Sequence, residues 1–555
     1  MNKTTTSLII LFFASGLIMT RQLLTPGYFS IIVNDAYTYT NWAWQFHEAL
    51  KEGIIYPRWL PLNFWGYGSP IFILYPPLAF YLAGLFNVFT DSIISAMNFT
   101  KFIALYLSTA GMFFLVKEFY SEKIALLTAS FYLIFPYTIF QFYLVGTFAS
   151  TISFVWFSPI LLFTHRYIER DQVKYILYAG ICFAGLVLTH LINAYMFTFV
   201  IVLFVIYFSI VQKKPKALIA IPVIFVIGFL ISSAYVLPLF FEKQFLSLKS
   251  FIGEGGGFHY AIFFLFPDLS NRVPPDNFWH VYHQTYTFYV FFFLTLLLIF
   301  ILLIGHLRQN AEKNMKDISP YFVVASIFSI FFLFGISSFL WEAIPFFKYI
   351  QFSFRWLNIT NFTVSFLFSI LFRSLITQYR SKKIVSAFIF FISLILLILD
   401  FRYINYAHIF RQQELIPVKT QNSNLEHLPI WGKVENISKN SSSNKIEILH
   451  GQGKADIVEW KSAERIIEIS VNEPLLTKIR TFNFPGWKAY LDGLEVKIQT
   501  EKVSGAMLID VPKGNHILKL KFVDTPIRRY SKILSLASLL GIGIALILRK
   551  QFRRC

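Results

Sequence analysis

Apolar runs of about twenty residues recur along this chain, and that recurrence decides its fold class. They fall near residues 7–24, 70–88, 98–116, 122–140, 147–164, 174–190, 193–211, 216–238, 285–306, 319–340, 355–375, 384–400 and 532–548. A helix needs about 20 apolar residues to cross a hydrocarbon core about 30 Å thick. Inside that core the backbone must satisfy its own hydrogen bonds, so the runs read as helices. A β-barrel would instead show short alternating segments. The chain is 56% hydrophobic and only 14% charged, with a mean hydropathy of +0.58, which excludes a soluble globular fold. The fold class is a polytopic α-helical membrane protein.

The net charge of +19 follows from 49 basic against 30 acidic residues. The basic residues are scattered over connectors, which argues for the positive-inside bias and anionic lipid and against nucleic acid. Strongly basic connectors at 212–216, 306–316, 373–383 and 549–554 are expected inside the cell. Walking back from them places 165–174 and 117–123 inside as well. The count then closes only if 70–88, which opens SPIFILYPPL with three prolines, lies in or along the outer leaflet. That gives twelve spans with both termini inside. Thirteen spans with a reversed amino terminus is the alternative. The first run has one nearby lysine and no small-residue cleavage site, so it reads as a retained helix. Cys182 and Cys555 offer neither a disulfide framework nor a metal cluster.

The expected organisation is a transmembrane domain over 1–400, an extracytoplasmic β-rich domain over 401–530, and a last helix with a basic cytoplasmic tail over 531–555. Loops 25–69 and 239–284 face outward, the second carrying a flexible GEGGG at 253–257. Period-two alternation in RIIEISV, LTKIRTFNF, LEVKIQ and HILKLKFV predicts strands of a β-sandwich-like domain. Asp492-Gly493, between WKAYL and LEVKI, predicts a hairpin turn.

The outward loops hold the candidate chemistry. Asp35, in NDAYTYTNWAW after the first run, is a carboxylate at the mouth of a membrane protein, where charge is costly and tied to function. TNWAWQFHEALKEG after it predicts an amphipathic interfacial helix. Glu48 is possible site lining there, although with Glu52 it reads more simply as a solvated face. Tyr56, Arg58 and Trp59, in YPRWLPLNFWGYGSPIFILYPPL, suit either interfacial anchoring or a groove for an isoprenoid chain with Arg58 near its phosphate. A departing lipid phosphate needs cations or hydrogen-bond donors, and Arg58, His259 and Arg355 are the candidates. His190 is possible site lining or a packing histidine. His280 and His283 lack a third spaced ligand, and no DxD motif is present. No cofactor is expected and a divalent metal is not indicated.

These motifs carry a resemblance. Asp35 followed by YPRW, GYGSP and YPPL resembles the bacterial membrane proteins described as pyruvoyl-tetrahydropterin-synthase-related, a set that looks like part of the GT-C glycosyltransferase superfamily. LTHLINA (188–194), EHLPIWG (426–432) and QFSFRWLN around Arg355 are similar to further stretches of that family, with Ser353 in place of a proline. FPGWKAYLDG (484–493) resembles a motif of YfhO-like membrane glycosyltransferases. Ser150 stands where the family pattern often has an acidic residue. The pterin enzyme of the family's description is a soluble zinc protein, and its histidine constellation is missing from this sequence.

The resemblance implies a polyprenyl-phosphate-linked sugar as donor, a glycan, lipid or protein acceptor, inversion at the anomeric carbon, and Asp35 as base on the extracytoplasmic side of the cell membrane. Two other classes stay open. A flippase for lipid-linked saccharides would want charge at mid-membrane, and the spans after residue 98 read as nearly free of it. A non-catalytic cell-envelope assembly factor would use the β-domain as its working part.

Overall fold

The computed structural model describes residues 2–248, 288–304, 318–378, 390–398, 401, 408–410, 425–439 and 444–551, apart from positions 26, 31, 32, 91, 291, 303 and 392. Twelve helices organise it: α1 (Lys3–Leu24), α2 (Val33–Lys51), α3 (Leu78–Phe86), α4 (Ile93–Lys117), α5 (Glu122–Leu133), α6 (Phe154–Arg170), α7 (Val173–Thr189), α8 (Leu191–Val211), α9 (Ala220–Glu242), α10 (Ser319–Phe331), α11 (Leu357–Gln378) and α12 (Pro526–Gln551).

Among the described residues seven helices (α1, α4, α6, α8, α9, α11 and α12, with their flanking turns) are long and apolar enough to cross a membrane. An eighth span results if α5 and Pro136–Tyr143, bent by 46°, are one crossing. The sequence runs suggest twelve or thirteen. Three of them are broken or short for physical reasons. Pro136 cannot continue the ladder of α5, and α7 and α10 reach only 17 and 13 residues. The run at 384–400 lies largely outside the described residues. The 70–88 run is also interrupted: a four-residue turn at Ile71–Leu74 precedes the nine-residue α3. Nine residues rise about 13 Å, too little for a bilayer.

A short antiparallel pair, β1 (Tyr28–Ser30) with β2 (His408–Phe410), ties the segment after α1 to the region expected to begin the β-domain. The described β-sandwich itself runs from Ile446 to Phe522. One sheet has the order β3 (Ile446–His450), β6 (Leu475–Phe482), β10 (Ala506–Val511), β9 (Gln499–Thr500). The other runs β4 (Gly453–Trp460), β5 (Glu464–Val471), β11 (Gly514–Phe522), β7 (Trp487–Leu491), β8 (Leu494–Val496). All pairings are antiparallel. Alternate residues of β5 and β6 are buried, including Ile467, Ile469 and Ile479. Asp492 (φ 50°) and Gly493 (φ 87°) make the two-residue hairpin turn, the left-handed pair such a turn requires.

The sandwich is clamped to the bundle by the loop after α2. Trp59 is buried against Phe484, Trp487 and Phe522, and the Tyr67 carbonyl accepts from the Phe482 N–H at 2.9 Å. Gly68 has φ +78°, and a Cβ there would lie 2.4 Å from the Trp59 ring nitrogen, so only glycine lets the loop fold back on that indole. A second clamp is ionic. Arg528 at the start of α12 is wholly buried and pairs with Glu242 at the end of α9, 2.8 Å apart; Thr525 Oγ1 also donates to Glu242 at 2.6 Å. Removing one partner strands a buried charge, while replacing both does not. Glu242→Leu is therefore expected to cost about 3–5 kcal/mol, and Glu242→Leu with Arg528→Met to recover most of it. Thermal unfolding of the purified variants checks this; equal loss in single and double variants would refute it.

Candidate functional site

Asp35 lies in the first turn of α2, where the helix dipole favours a carboxylate. The helix expected from residue 40 thus begins seven residues earlier and carries Asp35 on a rigid element. One turn on, Tyr39 hydrogen-bonds the Tyr75 hydroxyl at 3.1 Å, and Trp42 packs edge-on against Tyr75. Opposite them Arg355, in the turn before α11, is held by Nη1 donating to the Ile350 carbonyl at 2.7 Å and by the Phe352 ring. Burial pushes the Asp35 carboxyl up to about 6, while the nearby Arg355 guanidinium pulls it down. A base with that value is matched to neutral pH.

His190 sits at the joint between α7 and α8. Its Nδ1 accepts from the Asn193 N–H at 3.1 Å, capping α8. The accepting Nδ1 fixes the proton on Nε2. Burial, and then the adjacent Arg355 charge, lower the ring to about 3, so His190 is a neutral donor. Beneath it lies a polar layer the sequence does not announce. Asn193 Nδ2 donates to Ser153 at 2.7 Å and to Ser150 at 3.2 Å, and Asn358 Nδ2 donates to the Asn193 amide oxygen at 3.3 Å. Tyr137 donates to Asn358 at 3.2 Å. Ser150 therefore works inside a neutral hydrogen-bonded floor.

The charge of Arg355 links Asp35 and His190, and Arg58, Trp59 and Glu48 have partners elsewhere. Arg58 is buried against the outer end of α9. Its Nη2 donates to the Ala234 carbonyl at 2.9 Å, and its guanidinium stacks 3.7 Å over the Tyr56 ring. Ala234 is four residues before Pro238, whose missing N–H leaves that carbonyl without its helical donor. Arg58 supplies it. Trp59 anchors the β-domain rather than a lipid groove. Glu48 pairs with Lys51 at 2.9 Å, its side chain 39% exposed and several turns along α2 from Asp35. Glu52 accepts from the Ser462 N–H of the β-domain at 2.9 Å. His259, His280 and His283 lie outside the described residues. Away from this site, Glu118, His165 and Glu169 place possible ligand atoms within 4.8 Å of one another, with Glu118 already paired to Arg166 and Arg170.

Two residues near the site escaped the sequence reading. His427, from EHLPIWG, is buried edge-on to Trp42 at 5.2 Å. Lys101 is buried inside α4, a charge within a span read as free of interior charge. A lysine among MNFTKFIALYL was the available signal.

The family model for the 6-pyruvoyl-tetrahydropterin synthase related domain, a membrane protein, matches residues 72–406, more than half of the chain. The chain belongs to that family. No curated protein matches it in sequence. Among solved structures, the apo oligosaccharyltransferase of Archaeoglobus fulgidus is 16% identical with a TM-score of 0.42, covering 74% of this chain and 57% of its own. The same organism's oligosaccharyltransferase AglB with an inhibitory peptide and a dolichol-phosphate gives 15% and 0.39. ArnT from Cupriavidus metallidurans bound to undecaprenyl phosphate gives 12% and 0.35, covering 65% of this chain and 77% of its own. The chain spans little more than half the length of the oligosaccharyltransferase.

If Arg58 serves the carbonyl that Pro238 leaves open, the two positions are coupled. Arg58→Met is expected to cost stability in the native chain and about 1 kcal/mol less in a Pro238→Ala background, where residue 238 donates for itself. Unfolding of the four proteins of this cycle measures the coupling; additive losses would refute it.

Proposed function

We propose that this family member is a membrane glycosyltransferase moving a sugar from a polyprenyl-phosphate donor to an extracytoplasmic acceptor with inversion. The observation that carries the reading is Asp35: a carboxylate raised to about 6, fixed on a helix and within the field of Arg355, which also acts on a neutral His190. Asp35 takes the proton of the acceptor hydroxyl or amide as its heteroatom attacks the anomeric carbon. The bond from that carbon to the phosphate oxygen breaks, and its electron pair leaves with the lipid phosphate. Arg355 and the His190 Nε2–H receive the charge that develops there. In this reading the charge on the departing phosphate is met by Arg355 and the His190 N–H, without a cofactor or divalent metal. The site faces the outer side of the cell membrane, where α2 and the β-domain meet.

A flippase for lipid-linked saccharides is the second reading. Lys101, an ionisable side chain inside a span, favours it over a purely structural role for the bundle.

The test is transfer from a panel of radiolabelled polyprenyl-phosphate sugars by membranes carrying wild type or Asp35→Asn. Wild type is expected to transfer and the variant to lose at least 10²-fold, the usual scale for a general base. Ionised Asp35 is costly in its buried setting, so the variant is expected to melt no lower than wild type. Transfer retained by the variant would refute Asp35 as base; transport without transfer would favour the flippase. A protonated carboxylate cannot accept a proton, so the rate is expected to fall as pH drops through about 6 and to level off above 7. An acid limb near 4 would refute the perturbed base.

A further inference from the structure

Lys101 is 1% exposed, and its ammonium has no hydrogen-bond partner among the described residues. It points at the face of Tyr28, 4.6 Å from the ring centroid. Two acceptors on the adjoining side chains, Gln22 Oε1 and Asn98 Oδ1, are also buried without donors. Asn98, one turn before Lys101, is committed through its Nδ2 to the Gln22 and Gly27 carbonyls at 3.0 and 2.8 Å. A lone buried ammonium in a membrane span is expensive and calls for an anion.

The depth of Lys101 limits what that anion can be. At the far end of α4, Lys117 pairs with Glu122 at 3.1 Å and marks the opposite boundary of the span. Sixteen residues separate the two lysines, about 24 Å of helix against a core of about 30 Å. With Lys117 at one boundary, Lys101 would lie about 6 Å inside the other, within reach of a phosphate carried at headgroup level. Tyr28 joins this position to the site. Its hydroxyl donates to the Gly146 carbonyl at 2.5 Å, and it lies within the electrostatic field of Asp35.

We infer that Lys101, behind the Tyr28 ring, is the seat of a phosphate group, that of a membrane polyprenyl phosphate. The inference rests on the glycosyltransferase reading for the lipid's role, and not for its binding. The tyrosine ring holds the ammonium by a cation–π contact and gives way when the phosphate arrives.

The experiment is equilibrium binding of undecaprenyl phosphate, undecaprenol and inorganic phosphate to the full chain in nanodiscs, with no sugar present. Wild type is expected to prefer the lipid phosphate over the alcohol by at least tenfold. Lys101→Met, which keeps the length of the chain without its charge, is expected to lose that preference and to melt no lower. Lys101→Gln gives the same reading should the methionine variant not fold, and Lys101→Arg is expected to keep the preference. Unchanged preference in the uncharged variants would overturn the assignment and leave Lys101 a packing residue. Displacement of the lipid by millimolar inorganic phosphate from wild type but not from Lys101→Met would reassign the seat to a free phosphate. Binding measured without a donor sugar separates this result from the transfer assay: a chain that transfers nothing can still fail or pass here.

Discussion

Taking a charge out of water costs several kcal/mol per ion unless something answers it, and this molecule is organised by how each buried charge is answered. Glu242 and Arg528 answer one another and join the helix after the β-domain to α9. Arg58 answers a carbonyl that a proline left open and is stacked on Tyr56. Both are joints, although the Nε and Nη1 of Arg58 have no hydrogen-bond partner among the described residues. Asp35 is different, because Arg355 only partly offsets its burial and the carboxyl stays raised to about 6. The Glu242–Arg528 pair is satisfied within the fold, while the carboxyl of Asp35 is left perturbed, as groups at functional sites often are.

The loop between α2 and α3 converts these joints into a site. It crosses from the outer end of α9, through Trp59 and Tyr67 in the β-domain core, and back to Tyr75 beside Tyr39. The Ser69 hydroxyl donates to the His427 carbonyl at 2.9 Å, so the segment leading into the sandwich is fastened to the same loop. Trp42 then touches both Tyr75 and His427. At its far end α2 meets the sandwich through Glu52 and Ser462. Asp35 is therefore positioned by a helix gripped along its length, and a shift of the β-domain would be felt at the carboxylate.

Period and propensity made much of this legible. The alternation in RIIEISV and HILKLKFV becomes β5 and β11, and Asp492-Gly493 becomes the hairpin turn, both residues adopting the left-handed conformation that a type I′ turn needs. The apolar runs correctly announce a membrane bundle, but hydropathy does not see a chain break such as that before Pro136, where one run becomes a bent pair of helices. Asp35 and Arg355 stood out as charges flanked by apolar sequence. The tertiary contacts of Arg58 and Trp59 were not legible because aromatic and basic residues beside a membrane suit anchoring, ligand binding and tertiary clamping alike. Only the position of Pro238 relative to Ala234 separates them for Arg58, and that relation is invisible until two distant segments meet. The Asn193–Ser150–Asn358 layer was hidden for the same reason.

His190 and Asp35 also show how one arginine favours the deprotonated form of an acid and of a base at once. Both groups are buried, and burial disfavours the charged form of each. For the acid this raises its value, and the Arg355 charge works against the rise; for the base burial lowers it, and the same charge drives it further down. Near neutral pH the carboxylate can take a proton and the imidazole keeps its single N–H for donation. Ser150, bonded to Asn193 and Asn358, keeps the floor neutral. The departure from the family pattern is thus compatible with a single-base site, in which Arg355 divides the labour between acid and base.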